Sequence, residues 1–147
     1  MKTLYVSDLD GTLLRSDETI STYTNQVINE LAEKGMLFSY ATARSYHTAH
    51  KVTKGLQAKI PLIVYNGAFI KDNVTGKVLI ENGFQDDVRS VIDDLIQHDI
   101  YPTVYSLIDT KEKFSYVKDQ CSKGMLRFLK TRQGDDRDNP VSNAHVS

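Results

Sequence analysis

An apolar run at the start of the chain, "KTLYVS", ends in two aspartates, Asp8 and Asp10, with Gly11 and Thr12 directly behind them. Two carboxylates this close repel, so either a cation lies between them or one takes up a proton. A hard divalent ion with oxygen ligands, Mg²⁺ above all, suits carboxylates combined with a phosphate. One carboxylate can attack phosphorus to give an aspartyl-phosphate. The other can protonate the leaving oxygen and later deprotonate a water. Gly11 lets the backbone turn sharply, so that amide N–H groups can face phosphate oxygens. Further along, Thr42 followed by the small Ala43 offers a hydroxyl and N–H groups at a helix start. Asn66 before Gly67 is a good turn former with a polar side chain to present.

These residues need a frame that brings them together. Residues 2–7 read as a short buried strand. Tyr23, Val27, Ile28, Leu31 and Ala32 recur at helical spacing after Ser21 and Thr22, and Lys34–Gly35 closes that helix. "MLFSYAT" (36–42) is a second strand, "SYHTAHKVTKGL" (45–56) a weaker helix, and Pro61 opens a third strand, "PLIVYNGAF". Strand, helix, strand, helix, strand predicts an open parallel sheet with right-handed crossovers. In such sheets ligands bind beyond the carboxyl ends of the strands, where "SDLDGT", "ATARS" and "YNGA" would converge.

Beyond Asn66 the pattern changes. Two apolar segments flank "DNVTG", which predicts a hairpin. Val88, Val91, Ile92, Leu95 and Ile96 fit one helical face, and "IYPTVYSLI" (100–108) and "KFSYVK" (113–118) read as antiparallel strands. The tail from Arg132 is polar and turn-rich and predicts no element. The organisation expected is a parallel α/β unit over residues 1–82 and an α+β module over 83–147.

Eighteen Lys+Arg against nineteen Asp+Glu leave a net charge of −1. That balance argues against a nucleic-acid binder led by bulk charge and against a polybasic membrane anchor. Cys121 is the only cysteine, so no internal disulfide forms and a reducing compartment fits. Neither a secretory signal nor a spanning apolar segment is expected, and the chain reads as cytoplasmic.

The motifs also carry a resemblance. "DLDGTLL" resembles the D-x-D-G-T signature of the haloacid dehalogenase superfamily, whose members are mostly phosphatases. "SYATAR" is similar to that family's second motif, and "IVYNGAFI" to a segment of its Cof-type sugar-phosphatase branch. The resemblance implies a Rossmann-like parallel core, incomplete here, with a partial α+β cap of the C2 type inserted after the third strand. It makes Asp8 the nucleophile and, through its carboxylate, a Mg²⁺ ligand. Asp10 becomes the general acid/base, with its backbone carbonyl on the metal. Gly11, Thr12, Thr42, Ala43, Arg44, Asn66 and Gly67 would line the phosphate and substrate site. Ala43 departs from the usual glycine, whereas Arg44 matches the usual arginine. The implied partner is a small phosphorylated metabolite, such as a sugar phosphate.

The family's third motif, a Lys or Arg that offsets charge at the nucleophile, and its acidic fourth motif are not recognisable. "GDDRDN" (134–139) looks like the fourth, but no buried strand feeds it. The 147 residues therefore read as the N-terminal part of a longer phosphatase or as a truncated product. In either case an uncovered sheet edge would favour self-association. The first rival reading is an impaired paralogue that only binds phosphate or a metabolite. A receiver-type domain would need an aspartate where Asn66 stands, and a phosphotransferase or mutase would share the first motif. His47 and His50 read as exposed helix histidines, Asp86–Asp87 as a helix start and Asp93–Asp94 as a solvated face. Cys121 is expected to be partly buried, and Arg132, Asp135 and Arg137 to lie on a polar surface loop.

Overall fold

The structure, a computed structural model, describes residues 2–84, 88–109 and 111–142. Asp86–Asp87 lie outside these. The chain divides into two units, Met1–Gly83 and Phe84–Ser147.

In the first unit the order is β1 (Leu4–Ser7), a tight turn at Leu9–Leu13, α1 (Thr22–Glu33), β2 (Leu37–Tyr40), α2 (Tyr46–Val52) and β3 (Leu62–Val64). β1 and β2 run parallel, from Leu4 opposite Leu37 to Ser7 opposite Tyr40. A parallel bridge, Ala41 to Ile63, carries the sheet on to β3. The Ser21 hydroxyl accepts the Thr24 N–H and starts α1, satisfying one of the helix's orphan donors. Ser45 does the same for α2 through Thr48 N–H. Thr42, expected at that helix start, lies three residues ahead of the cap, which is Ser45.

β4 (Phe69–Lys71) pairs antiparallel with β3 on one side and with β5 (Val78–Glu81) on the other. The expected hairpin forms, and Asp72 holds its turn. One Asp72 oxygen accepts the Val74 and Thr75 N–H groups and the Thr75 hydroxyl. Leu9, Leu14, Ile20, Tyr40, Ala49, Leu62 and Val64 make the core of this unit. Full burial of a side chain such as Leu9 is worth about 1.5–3 kcal/mol.

The first strand departs from expectation. Leu4, Tyr5 and Val6 are 50%, 54% and 46% exposed, so both faces of β1 meet solvent. Among the described residues β1 pairs with β2 alone. An apolar run reports what a strand would bury, not whether a neighbour is there to bury it.

The second unit comprises α3 (Val88–Gln97), β6 (Val104–Ile108), β7 (Lys111–Val117), α4 (Lys123–Lys130) and β8 (Asp138–Val141). β6 and β7 are antiparallel, and β8 joins β7 in parallel. Phe114 is buried on β7, edge-on to Phe128 of α4 with ring centroids 5.4 Å apart. Two of these elements do not follow from the sequence pattern. α4 starts where Ser122 accepts the Met125 N–H. β8 contains Asp138, Asn139 and Pro140, all poor strand formers, which pairing with β7 overrides.

Arg137 likewise is no surface residue. It is buried, and its Nε and Nη2 donate to Asp135 at 2.9 and 2.6 Å, with Glu112 3.8 Å from Nη1. Asp135 of the acidic stretch therefore serves an internal ion cluster with Arg137 and Glu112, while Asp136 and Asp138 are exposed. His47, His50, Asp93 and Asp94 are exposed, and Cys121 is half-buried. Among the described residues no helix is long and apolar enough to cross a membrane.

Candidate active site

The chain leaves β1 at Ser7 and enters a turn built on i to i+5 hydrogen bonds. Leu13 N–H donates to Asp8 O at 3.3 Å and Leu14 N–H to Leu9 O at 2.8 Å. Single turns of this π type recur at functional sites. Leu9 and Leu14 point into the core and pin both ends, which leaves Asp8, Asp10, Gly11 and Thr12 on the exposed side. Gly11 sits at φ +74°, in the left-handed region, and a Cβ built there would meet nothing within 4 Å. The glycine is thus required by conformation and not by space.

Asp8 accepts the Leu9 N–H on Oδ1 at 2.7 Å. Among the described residues Oδ2 has no partner and no cation pairs with this carboxylate. Asp10 is arranged differently. Its Oδ2 accepts from Arg44 Nε at 2.8 Å and its Oδ1 from Arg44 Nη2 at 2.6 Å, a bidentate fork. The hydrogen bonds from Arg44 hold the Asp10 carboxyl below the usual carboxylate range, although burial opposes this slightly. The same contact keeps Arg44 still more firmly protonated.

Backbone bonds bring the other strand ends to the same place. Ala41 N–H donates to Ser7 O at 2.9 Å and Thr42 N–H to Ile63 O at 3.0 Å, continuing the parallel ladder past β2. Thr42 is buried, and its Oγ1 accepts the Arg44 N–H at 3.1 Å. Tyr65 N–H donates to Arg44 O and Asn66 N–H to Thr42 O, each at 3.0 Å. Tyr65, Asn66 and Gly67 all take positive φ, at 51°, 55° and 94°. Asn and Gly tolerate that region, whereas Tyr65 carries strain, offset by these two bonds. Asp8, Asp10, Thr42, Arg44 and Asn66 thus gather at the carboxyl ends of β1, β2 and β3. Ala43 and Gly67 flank them on the same loops.

One participant carries no motif signal. Glu18, at φ +59° in the loop after the turn, places Oε2 3.3 Å from Arg44 Nη2. Only the fold brings it there, through Arg15 N–H to Thr19 O and Glu18 N–H to Arg15 O. Three carboxylates, Asp8, Asp10 and Glu18, therefore stand against one guanidinium. A phosphate entering this region meets net negative charge unless a cation accompanies it.

The partner-free oxygen of Asp8 is a hard donor of the kind Mg²⁺ takes. The ion commonly keeps several waters and adds only one or two carboxylates with a substrate phosphate. Among the described residues no group of three or more His, Cys, Asp or Glu converges on one point. The residues present therefore fit part of such a site.

A parallel α/β sheet with two carboxylates and a threonine loop at its strand ends places polar groups where open α/β folds bind their ligands. More particularly, the chain belongs to the haloacid dehalogenase-like hydrolases, whose family model matches residues 5–144. A Buchnera aphidicola (subspecies Baizongia pistaciae) protein named "Putative phosphatase" is 38% identical over 108 residues, covering 70% of this chain and 39% of the relative. The 5-amino-6-(5-phospho-D-ribitylamino)uracil phosphatase YitU of Bacillus subtilis is 36% identical over 67 residues, covering 46% of this chain and 25% of that one. The solved structure of BT4131, described as a subclass IIB sugar phosphatase, superposes with a TM-score of 0.65 at 17% identity. It covers 97% of this chain and 53% of its own, so the likeness shows a shared fold. The chain spans about half the length of that structure and less of the two curated relatives.

Proposed function

We propose that this chain carries the nucleophile-bearing part of a Mg²⁺-dependent phosphomonoester hydrolase that works through an aspartyl-phosphate. The observation that supports this most is Asp8: one oxygen is oriented by the Leu9 N–H and the other is without a partner among the described residues. Asp8 attacks phosphorus, and the bond from phosphorus to the leaving alcohol breaks. Asp10 gives that oxygen its proton. A water that returns its proton to Asp10 then attacks the phosphorus, releases inorganic phosphate and regenerates the Asp8 carboxylate. Asp8, through its carboxylate, and Asp10, through its backbone carbonyl, would hold Mg²⁺. The ion would offset charge on the phosphate and on Asp8.

Gly11 and Thr12 on the turn, with Thr42 and Ala43, would cradle the phosphoryl group. Arg44 would meet the phosphoryl group, and Asn66 and Gly67 the rest of the substrate. The names of two relatives, a phosphoribitylamino-uracil phosphatase and a sugar phosphatase, support a small phosphorylated metabolite with a polyhydroxy chain. The boundary near residue 82, with 83–147 as part of a cap, belongs to this proposal. So do a cytoplasmic location and self-association through the open edge of β1.

The test is release of inorganic phosphate from an aryl phosphate and from sugar phosphates, with and without Mg²⁺. Turnover should need the ion and should vanish in Asp8→Asn. An active Asp8→Asn protein would show that the nucleophile is another group. A second reading, a binding protein without turnover, is favoured by the absence of any cation paired with Asp8 among the described residues. Binding of inorganic phosphate without hydrolysis would select it.

A further inference from the structure

The bidentate fork conflicts with proton transfer by Asp10. A group that serves the leaving oxygen must bring one of its own oxygens to it, yet Arg44 holds both oxygens of Asp10, at 2.8 and 2.6 Å. Arg44 is itself anchored. Its N–H is fixed on Thr42 Oγ1 and its carbonyl on Tyr65 N–H, so only the side chain can move. The guanidinium is shielded, at 18% exposure, while the Asp10 side chain is 54% exposed. Simply losing Asp10 would strand a partly desolvated cation, which is costly unless another anion replaces it.

That replacement is already in place. Glu18 Oε2 stands 3.3 Å from Nη2, the same nitrogen that holds Asp10 Oδ1 at 2.6 Å. A small rotation of the guanidinium lengthens one contact as it shortens the other, and the cation is never left unpaired. Glu18 is held at φ +59° by its N–H bond to Arg15 O, so the loop keeps this carboxylate at the site.

We propose that Glu18 is a positioning residue, the second seat of an Arg44 clamp that holds Asp10 in the substrate-free protein and releases it when a phosphoryl group occupies the site. This rests on the phosphatase reading and adds to it the means by which Asp10 becomes available. An anion beside Asp8 competes with Asp10 for the guanidinium, and Glu18 takes up the remaining donor. Asp10 then engages the leaving group only when a phosphoryl group is present.

The experiment is ¹⁵N NMR of the full chain, following the Arg44 Nε–H signal together with the backbone amides of Asp8, Gly11 and Thr42. Spectra are recorded with Mg²⁺ and orthovanadate added as the probe. The wild type, Asp10→Asn and Glu18→Gln are compared. In the free wild type the Nε–H signal is protected from exchange, and Asp10→Asn shifts it. Vanadate moves the wild-type signal toward the Asp10→Asn position. In Glu18→Gln, an isosteric change on an exposed side chain, vanadate binds but the signal stays near its free position. If the amides shift while the wild-type Nε–H signal does not, the clamp is overturned and the phosphatase reading stands. A Glu18→Gln protein that responds like wild type overturns the clamp in the same way. If neither the amides nor Arg44 respond, both readings fall together.

Discussion

Gly11→Ala isolates the conformational cost of the turn that carries the two aspartates. At φ +74° and ψ 2° an L-residue with a Cβ loses about 1–2 kcal/mol, because the Cβ crowds the following carbonyl. Nothing lies within 4 Å of the added atom, so no packing cost is added. The Leu14 amide, bonded to Leu9 O across the turn, reports the loss locally. At about 1.4 kcal/mol per tenfold, its hydrogen exchange should quicken about 5- to 30-fold. Gly11→Asn should recover most of the loss, since Asn enters this region readily.

Gly76 supplies the internal control. It has a similar φ of +71°, but a Cβ there would lie 2.9 Å from Tyr46 Cε1 and 3.2 Å from Cζ. Tyr46 would have to move, at risk to its hydroxyl bond to Asn73 O, and overpacking adds about 1–3 kcal/mol. Gly76→Ala should therefore destabilise more than Gly11→Ala in urea unfolding followed by circular dichroism. Equal losses at the two sites, or a Gly11→Ala protein with unchanged Leu14 exchange, would refute the reasoning.

Arg137→Ala leaves Asp135 and Glu112 shielded and without their guanidinium, so the second unit should lose about 3–5 kcal/mol. Arg137→Lys should not restore the bidentate contact, and urea denaturation of the three proteins checks both statements. Asp72 has its carboxyl held below 3.8 by bonds from Thr75 and Val74. A depressed folded pKa stabilises above the unfolded value, and that contribution disappears as pH falls through the folded one. The urea midpoint of the first unit should therefore decline below about pH 4, and less steeply in Asp72→Asn.

The strand and helix order of the first unit is legible in the chain because each element carries its own period and caps. Ser21 and Lys34–Gly35 bracket α1, and "DNVTG" marks the hairpin. The D-x-D-G-T stretch is equally legible, since its turn is local and its glycine is demanded by φ. The helix start after β2 is not, because Thr42 and Ser45 are both cap-forming residue types. Thr42 is drawn into the ladder by Ile63, leaving Ser45 to cap. β8 is hidden because Asp138, Asn139 and Pro140 are poor strand formers, and α4 because its run of good helix formers is short and broken early by Gly124. Phe114 and the β7 edge, distant in sequence, supply what the local pattern lacks.

By itself, then, the sequence determined a strand that ends in an acidic turn and the parallel βαβαβ order, both of which rest on short-range preferences and hydrophobic period. Family membership is also carried by the sequence, but by its likeness to the haloacid dehalogenase-like hydrolases and not by those preferences. Only the tertiary structure decided which charges face one another. It put both Asp10 oxygens on Arg44, left Asp8 without a cationic partner among the described residues, brought Glu18 to the fork and buried Arg137 between carboxylates. It also left β1 open on both faces, because burial depends on the neighbour present and not on the apolarity of the strand. Ion pairing and burial are properties of distance in space, and a sequence records only distance along the chain.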